Sequence, residues 1–312
     1  MKIAFHLHAV RSHFAAAMPT SLEQAAAFDW IAERGFDGVD ISDSWGFDQV
    51  DAAAAKVTRE LLAARGLVVG TMSCMGKTLC HPEIGERNAG ALMRALDVAQ
   101  RLECGLLNVA LGNPRVPGVT PRIGAADSPG GSRAATDADF HITAQRLRPI
   151  ARAARDRGIA LSIEMHDRGL PDTSASLLRI LSEVGEPNAG ANPDLTNGYR
   201  AYDVPPETWQ DALGALAPRA NLWHVNNMQR VHFPEIARAA FVERPLGAGD
   251  IDYRWALSTM HRAGFDGWIV IEYKGQGDAY ECIADGKRYL DGILPRSRVH
   301  PLQTTQTMKE EA

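Results

Sequence analysis

Short apolar runs alternate along this chain with longer stretches in which apolar residues recur every three or four positions. The short runs favour buried β-strands and the longer stretches favour amphipathic helices. Eight strands are predicted: Ile3–His6, Gly38–Ser42, Val68–Met72, Leu106–Ala110, Ala160–Glu164, Gly190–Asp194, Leu222–Val225 and Trp268–Glu272. Eight helices are predicted: Leu22–Arg34, Asp51–Arg65, Glu86–Arg101, Ala144–Arg157, Thr173–Val184, Glu207–Ala215, Tyr253–Ala263 and Asp278–Ile293. This alternation predicts a parallel sheet built from repeated strand–helix units.

The helix boundaries agree with this interpretation. Glycines that can adopt the left-handed conformation follow four of the predicted helices, namely Gly35, Gly66, Gly158 and Gly264. Ser21 and Thr173 are predicted N-caps, because a side-chain hydroxyl there accepts a hydrogen bond from a free helix N–H. A doubly wound sheet would be expected to carry a glycine-rich first turn, whereas residues 6–19 contain no glycine. We therefore predict a single α/β domain, a (β/α)8 TIM barrel spanning residues 1–294.

Three segments interrupt the alternation. The segment Leu111–Phe140 contains five glycines and four prolines and is predicted to be a long loop after the fourth strand, either a lid or substrate wall at the barrel mouth or a disordered insertion. As a lid it would supply the charges of Arg115, Arg122 and Arg133. A second irregular segment, Asn226–Ile251, follows the seventh strand. Residues 295–312 form a polar C-terminal tail outside the predicted core.

The composition narrows the class of protein. With 312 residues, 45% of them hydrophobic, the chain has enough apolar material for one large core. A net charge of −5 argues against a nucleic-acid partner, and no apolar run reaches the ~20 residues of a membrane span. The N-terminus lacks a secretory signal pattern, and the four cysteines show no CxxC spacing. We expect a cytoplasmic protein without membrane association.

Four consecutive predicted strands end in a residue that can bind a metal. These residues are Glu164, Asp194, His224 and Glu272. The C-terminal ends of barrel strands meet at one mouth, so three carboxylates and one imidazole are expected to converge there. Buried charges without a partner are costly, whereas one divalent cation would satisfy all four. Oxygen ligands with a single imidazole favour Mn²⁺, and also suit Mg²⁺ or Co²⁺, with Zn²⁺ as a further candidate.

Residues two apart on a strand point to the same side, so further side chains are expected beside these ligands. His166, Asn226 and Lys274 each lie two residues beyond a predicted ligand and are candidates for substrate contact. The ends of the first three strands and the segment after the sixth add His6, His8, Trp45, His81 and Asn197 to the predicted substrate-binding residues.

The sequence resembles the xylose isomerase-like barrels, a superfamily that includes sugar phosphate isomerases and epimerases and the endonuclease IV type of apurinic endonuclease. The resemblance is carried by IEMHD, NPDLTN and LWHVNN, and by the block from Pro245 to Tyr273. It implies that Glu164, Asp194, His224 and Glu272 occupy the positions of the shared metal ligands. It also implies that Glu164 and Glu272 act as an acid/base pair.

The chain departs from the superfamily pattern at two places. Many members carry Asp-x-x-His and His-x-Lys-Asp after the sixth and seventh strands, where this chain has Asn197 and the pair Asn226 and Asn227. Loss of these cationic groups favours a neutral carbohydrate substrate over a phosphorylated or acidic one. We therefore expect a metal-dependent isomerase or epimerase of an unphosphorylated sugar, keto-sugar or polyol, acting through an enediolate-like intermediate.

Two alternatives remain open. One is a metal-dependent lyase, of the C-glycoside deglycosidase or dehydratase type, acting on a 3-oxo-sugar. The other is a barrel that binds a sugar without transforming it. The apolar last helix and the polar tail would suit a homo-oligomer, and a protein of the deglycosidase type would have a small partner subunit. The net charge speaks against the endonuclease IV type, which acts on DNA with a cluster of zinc ions.

Overall fold

A computed structural model describes residues 1–14, 16, 18–46, 50–112, 130–202, 205–236 and 238–299, with only the backbone described at 295–299. Within these ranges the chain forms ten strands: β1 (Lys2–His6), β2 (Gly38–Ser42), β3 (Val68–Cys74), β4 (Leu106–Ala110), β5 (Ala160–Glu164), β6 (Ala189–Asn192), β7 (Leu222–Val225), β8 (Asn227–Phe233), β9 (Arg238–Arg244) and β10 (Trp268–Ile271). Eight of them form one parallel sheet in the order β6-β5-β4-β3-β2-β1-β10-β7. This sheet is a nearly closed barrel, and the prediction of a single (β/α)8 domain is confirmed.

Eight α-helices alternate with the barrel strands: α1 (Ser21–Glu33), α2 (Ala52–Ala63), α3 (Gly85–Arg101), α4 (Asp137–Asp156), α5 (Ser174–Val184), α6 (Trp209–Leu216), α7 (Tyr253–Arg262) and α8 (Ala279–Val299). The four glycines predicted to follow helices all have φ between 70° and 83°. Thr173 caps α5 as predicted. The cap of α1 is Thr20 rather than Ser21, because Glu23 completes a capping box with Thr20.

The barrel is least regular where β6 meets β7. Only one backbone bridge, between Ala191 and Ala220, joins these two edges among the described residues. Beside it, the Asn221 N–H donates to the Ala191 carbonyl at 3.1 Å. The side chain of Asn192 continues the junction, since its Oδ1 accepts from the backbone N–H of His224 at 2.7 Å. A side chain thus supplies a hydrogen bond that the backbone ladder supplies elsewhere in the sheet.

Three of the predicted boundaries differ from the structure by more than two residues. Helix α4 begins at Asp137 rather than Ala144, since Thr136 and Asp139 form a capping box at its start. The predicted long loop is therefore shorter, and residues 113–129, with Arg115 and Arg122, lie outside the described residues. Helix α8 continues to Val299, past its predicted end at Ile293, and residues 300–312 of the predicted tail also lie outside the described residues.

The predicted irregular segment after β7 contains the antiparallel hairpin of β8 and β9. Its inner face carries the buried Met228, and Phe241 on that face lies 5.9 Å from the ring of Tyr202. Its outer face exposes Val231 and Val242, so inward-facing and outward-facing side chains alternate with the two-residue period of a strand.

Among the described helices, none combines the length and apolarity needed to cross a bilayer.

Candidate metal centre

The four predicted ligands come together at the C-terminal ends of neighbouring strands. Glu164 ends β5, His224 lies in β7, Asp194 follows β6 and Glu272 directly follows β10. All four are buried, with at most 4% of any one residue exposed. Glu164, Asp194 and His224 each place a potential ligand atom within 4.8 Å of the others. Glu272 adjoins this triad, with its Oε1 2.7 Å from Nδ1 of His224.

The residues of this centre fit a divalent cation. Neither ring nitrogen of His224 has a hydrogen-bond partner of acceptable geometry within the described part of the chain, despite the complete burial of the ring. The short contact to Glu272 is therefore an approach between two potential ligand atoms rather than an aligned hydrogen bond. Three buried carboxylates beside one imidazole are oxygen-rich donors of the kind that hard divalent cations prefer.

The pKa values of these side chains follow from this crowding. Burial disfavours the charged imidazolium of His224, but Glu272 and Glu164 outweigh that effect and raise its pKa to about 9. Burial also raises the pKa of Asp194 to about 6, against the opposing effect of Lys274. Glu272 is buried too, yet Lys274, His6 and His224 lower its pKa well below the usual range. A bound cation would take over the charge compensation that protons and Lys274 provide here.

Amide side chains hold the ligand carboxylates. Nδ2 of Asn197 donates to Oε1 of Glu164 at 3.1 Å, and Nδ2 of Asn108, on β4, donates to Oε2 of the same residue at 2.7 Å. Nδ2 of Asn226 lies 3.2 Å from Oδ2 of Asp194 and from Oε2 of Glu272. Asn197 and Asn226, predicted as substrate contacts, are thus both engaged with the candidate ligands.

Three further predicted residues lie against the same carboxylates. Nζ of Lys274 is 2.9 Å from Oε2 of Glu272, and Nε2 of His6 is 3.4 Å from Oε1 of that residue. Nε2 of His166 is 3.9 Å from Oε1 of Glu164, while its Nδ1 is 2.9 Å from Asp167. Burial lowers the pKa of His166, but Asp167 more than offsets this and the net shift is upward.

The remaining predicted substrate residues lie farther from these carboxylates. His8 is exposed and contacts Oγ of Ser44 at 3.0 Å, with its ring 5.7 Å from that of His6. The indole of Trp45 is buried in the hydrophobic core. Nδ1 of His81 accepts from the backbone N–H groups just before α3, a local capping arrangement.

Several polar residues of the site were not identified from the sequence. Asn108 and Asp40 interrupt the apolar runs LLNVA and GVDIS at positions inside a strand, and this interruption was the available signal. Arg200 gave none. It follows the site in an irregular segment, where Nη1 donates to Asn197 and Nη2 pairs with Glu243 at 2.9 Å.

Comparisons with known proteins agree with this architecture. A model of the family described as "Xylose isomerase-like TIM barrel" matches residues 28–293. No curated protein matches the chain. The solved structures similar to it include a xylose isomerase-like TIM barrel protein from Mycobacterium smegmatis in complex with magnesium. That protein is 21% identical, with a TM-score of 0.79 over 95% of this chain and 97% of the other.

Two further similar structures have different named activities. A D-allulose 3-epimerase from Methylomonas sp. is 17% identical, with a TM-score of 0.70 over 94% of this chain and 98% of the other. A probable 3-DHS dehydratase from Bacillus anthracis is 15% identical, with a TM-score of 0.70 over 93% of this chain and 99% of the other. At these identities the likeness establishes the fold, and one fold serves several reactions. Because the family model covers most of the chain, this protein belongs to the xylose isomerase-like TIM barrel family.

Proposed function

We propose that this protein is a divalent-metal-dependent isomerase or epimerase acting on an unphosphorylated sugar, keto-sugar or polyol. The observation that carries the proposal is the placement of two buried glutamates within 4 Å of the same ring nitrogen of one candidate ligand. Glu272 lies 2.7 Å and Glu164 lies 3.7 Å from Nδ1 of His224. A D-allulose 3-epimerase is among the structurally similar proteins.

In this proposal Glu164, Asp194, His224 and Glu272 hold one divalent cation, with Mn²⁺ as the first candidate and Mg²⁺, Co²⁺ or Zn²⁺ as alternatives. The cation supplies polarisation of a substrate carbonyl, which acidifies the neighbouring C–H bond. Glu164 and Glu272 then remove and return the proton by way of an enediolate-like intermediate. Asp194 and His224 bind the cation without transferring protons. Burial of the whole centre keeps water from competing for that proton.

The charges around the centre support a neutral substrate. Lys274 and Arg200, two cationic side chains at the site, each have an acidic partner. Lys274 faces Glu272, and Arg200 faces Glu243. A phosphate group would have to compete with these carboxylates, whereas hydroxyl groups need no net charge to bind.

A lyase that acts on a 3-oxo-sugar is the second candidate, and His166 is the observation that favours it. Its ring is buried, with Nδ1 2.9 Å from Oδ1 of Asp167 and Nε2 3.9 Å from Oε1 of Glu164. A proton donor beside the base is what loss of a β-hydroxyl or an aglycone requires. A dehydratase is among the structurally similar proteins.

A screen of metal-loaded protein against unphosphorylated ketoses and 3-oxo-glycosides in D₂O tests these proposals. An isomerase or epimerase incorporates deuterium without loss of a group, a lyase releases water or an aglycone, and a binding protein shows affinity without exchange. Chelation should abolish turnover and Mn²⁺ should restore it. Full turnover by metal-free protein would refute the role of the metal.

Substitutions test the role of the two glutamates in proton transfer separately from any effect on folding. Glu164→Gln and Glu272→Gln should each reduce kcat by ~10²–10⁴-fold while the protein stays folded. Glu186→Gln is the matched control, because Glu186 pairs with arginines of α4 and contacts none of the candidate ligands. Unchanged turnover in Glu164→Gln and Glu272→Gln would exclude their acid/base role.

A further inference from the structure

A buried arginine is connected to the candidate metal centre through an amide side chain. Arg200 lies shortly after β6 and is only 8% exposed. Its Nη2 pairs with Oε1 of Glu243 at 2.9 Å, and its Nη1 donates to Oδ1 of Asn197 at 3.1 Å. A buried guanidinium requires an acidic partner, and Glu243 provides it. The pairing of charges does not account for the second contact, with Asn197.

The surroundings of Asn197 favour one orientation of its amide. Nδ2 donates to Oε1 of Glu164 at 3.1 Å and to the carbonyl oxygen of Met165 at 3.0 Å. Oδ1 faces Arg200, whose guanidinium can only donate. Turning the amide by 180° would place its oxygen against two acceptors and its NH₂ against a donor. Asn197 is 1% exposed, so solvent could not compensate for these mismatches.

Glu243 links this arrangement to the hairpin of β8 and β9. It lies on β9, and its side chain is 12% exposed. Three successive contacts of 2.9, 3.1 and 3.1 Å lead from Glu243 through Arg200 and Asn197 to Glu164. Because β9 does not belong to the barrel sheet, a segment outside the barrel bears on the position of a candidate ligand.

We propose that Arg200 is a positioning residue: held by Glu243, it fixes the amide of Asn197 in the orientation that donates to Glu164. Its effect on the binding of a cation rests on the proposed function, whereas the orientation of the amide does not. If Arg200 only attached the hairpin to the barrel, its replacement would lower the stability of the protein and leave the affinity for a cation unchanged.

Calorimetric titration of the full chain with Mn²⁺, without substrate, tests this proposal. Arg200→Lys keeps the positive charge but loses the planar fork that meets Glu243 and Asn197 together. We expect its Mn²⁺ affinity to fall by about 10–100-fold, the typical effect of losing a group that orients a metal ligand. Asp250→Ala is the matched control. Asp250 accepts from the backbone N–H of Arg230 in the same hairpin at 2.8 Å, and its replacement should leave Mn²⁺ affinity unchanged.

Substitutions of Glu243 separate orientation from charge. Glu243→Ala removes the acceptor that holds Arg200 and should weaken Mn²⁺ binding by about 10–100-fold. Glu243→Gln removes the same negative charge but keeps an acceptor oxygen, so it should bind Mn²⁺ as the wild type does. In an Asn197→Ala background, Arg200→Lys should cause no further loss of affinity, because no amide remains to be oriented.

Three results of these titrations would overturn the proposal: wild-type affinity in Arg200→Lys, equal losses in Glu243→Gln and Glu243→Ala, or additive losses in the double variant of Asn197 and Arg200. If Arg200→Lys does not fold, the two variants of Glu243 decide.

A second measurement needs no metal. In ¹H–¹⁵N spectra of asparagine-labelled, metal-free protein, Asn197→Ala assigns the side-chain NH₂ of Asn197 by its loss. Relative to the NH₂ of Asn188, its hydrogen exchange should be faster in Arg200→Lys than in the wild type, or in Glu243→Ala if that variant alone folds. Unchanged exchange would overturn the proposal. A wild type that binds no Mn²⁺ would refute the proposed function, and these spectra would still decide the role of Arg200.

Discussion

Asn192 is predicted to couple closure of the barrel to metal binding. Its Oδ1 accepts from the backbone N–H of His224 at 2.7 Å, at the junction where the described backbone provides a single bridge. Its Nδ2 donates to Asn108 at 3.3 Å, and Asn108 in turn holds Glu164. Asn192→Ala would therefore loosen two candidate ligands from one position.

The magnitude follows from burial of the groups that lose a partner. Asn192 and His224 are almost completely buried, so the orphaned N–H cannot be rehydrated without opening the barrel. An unsatisfied buried donor costs about 1–3 kcal/mol. At an unfolding entropy of about 2.1 cal/mol/K per residue, such a loss lowers the Tm of this 312-residue chain by roughly 2–5 °C. Loss of a residue that orients a metal ligand typically weakens metal affinity by about 10–100-fold.

Thermal unfolding of the metal-free protein and calorimetric titration with Mn²⁺ measure these two effects separately. Asn188→Ala is the matched control. Asn188 donates to the carbonyls of Ala151 and Ile159 at 2.9 and 3.2 Å and contacts no candidate ligand. We expect Asn188→Ala to lose stability but retain Mn²⁺ affinity. Equal Mn²⁺ affinity in Asn192→Ala and wild type, or an equal loss in Asn188→Ala, would refute the coupling.

Two further predictions concern stability away from the metal. Hydrogen bonding by Arg152 and the nearby charge of Arg155 lower the pKa of Glu186. The stability that Glu186 contributes is thus present above its unfolded-state pKa and is lost as the pH falls through its folded-state pKa. In urea titrations, the difference in unfolding free energy between wild type and Glu186→Gln should be largest near neutrality and should vanish in acid. A difference that does not depend on pH would exclude the ion pair. Asn227 donates to the Leu246 carbonyl at 2.7 Å and to the Ile251 carbonyl at 3.0 Å. Asn227→Ala should therefore lower the unfolding free energy measured by chemical denaturation by about 1–3 kcal/mol. A loss below about 0.5 kcal/mol would show that water replaces these bonds.

The sequence predicts those parts of the structure that depend on local pattern. Short runs located all eight barrel strands, and the four candidate ligands lie at or within two residues of the C-terminal ends of four of them. The hairpin after β7 was missed because its strands are mostly exposed, so β8 and β9 lack the continuous apolar run that marked the barrel strands. The start of α4 was missed because the capping box of Thr136 and Asp139 follows a stretch rich in glycine and proline.

The polar residues that orient the ligands could not be predicted in the same way, because their partners come from distant parts of the chain. Asn108 and Glu164 are 56 positions apart, and Asn226 and Glu272 are 46 apart. A strand-end rule states which way a side chain points, but it does not state whether an amide will meet a substrate hydroxyl or a carboxylate of its own protein. Asn197 and Asn226, which differ from the ionisable residues expected from the resemblance, donate to the carboxylates of the candidate ligands. Their neutrality therefore bears on the centre itself, since an amide stabilises a carboxylate without the positive charge that would compete with a divalent cation.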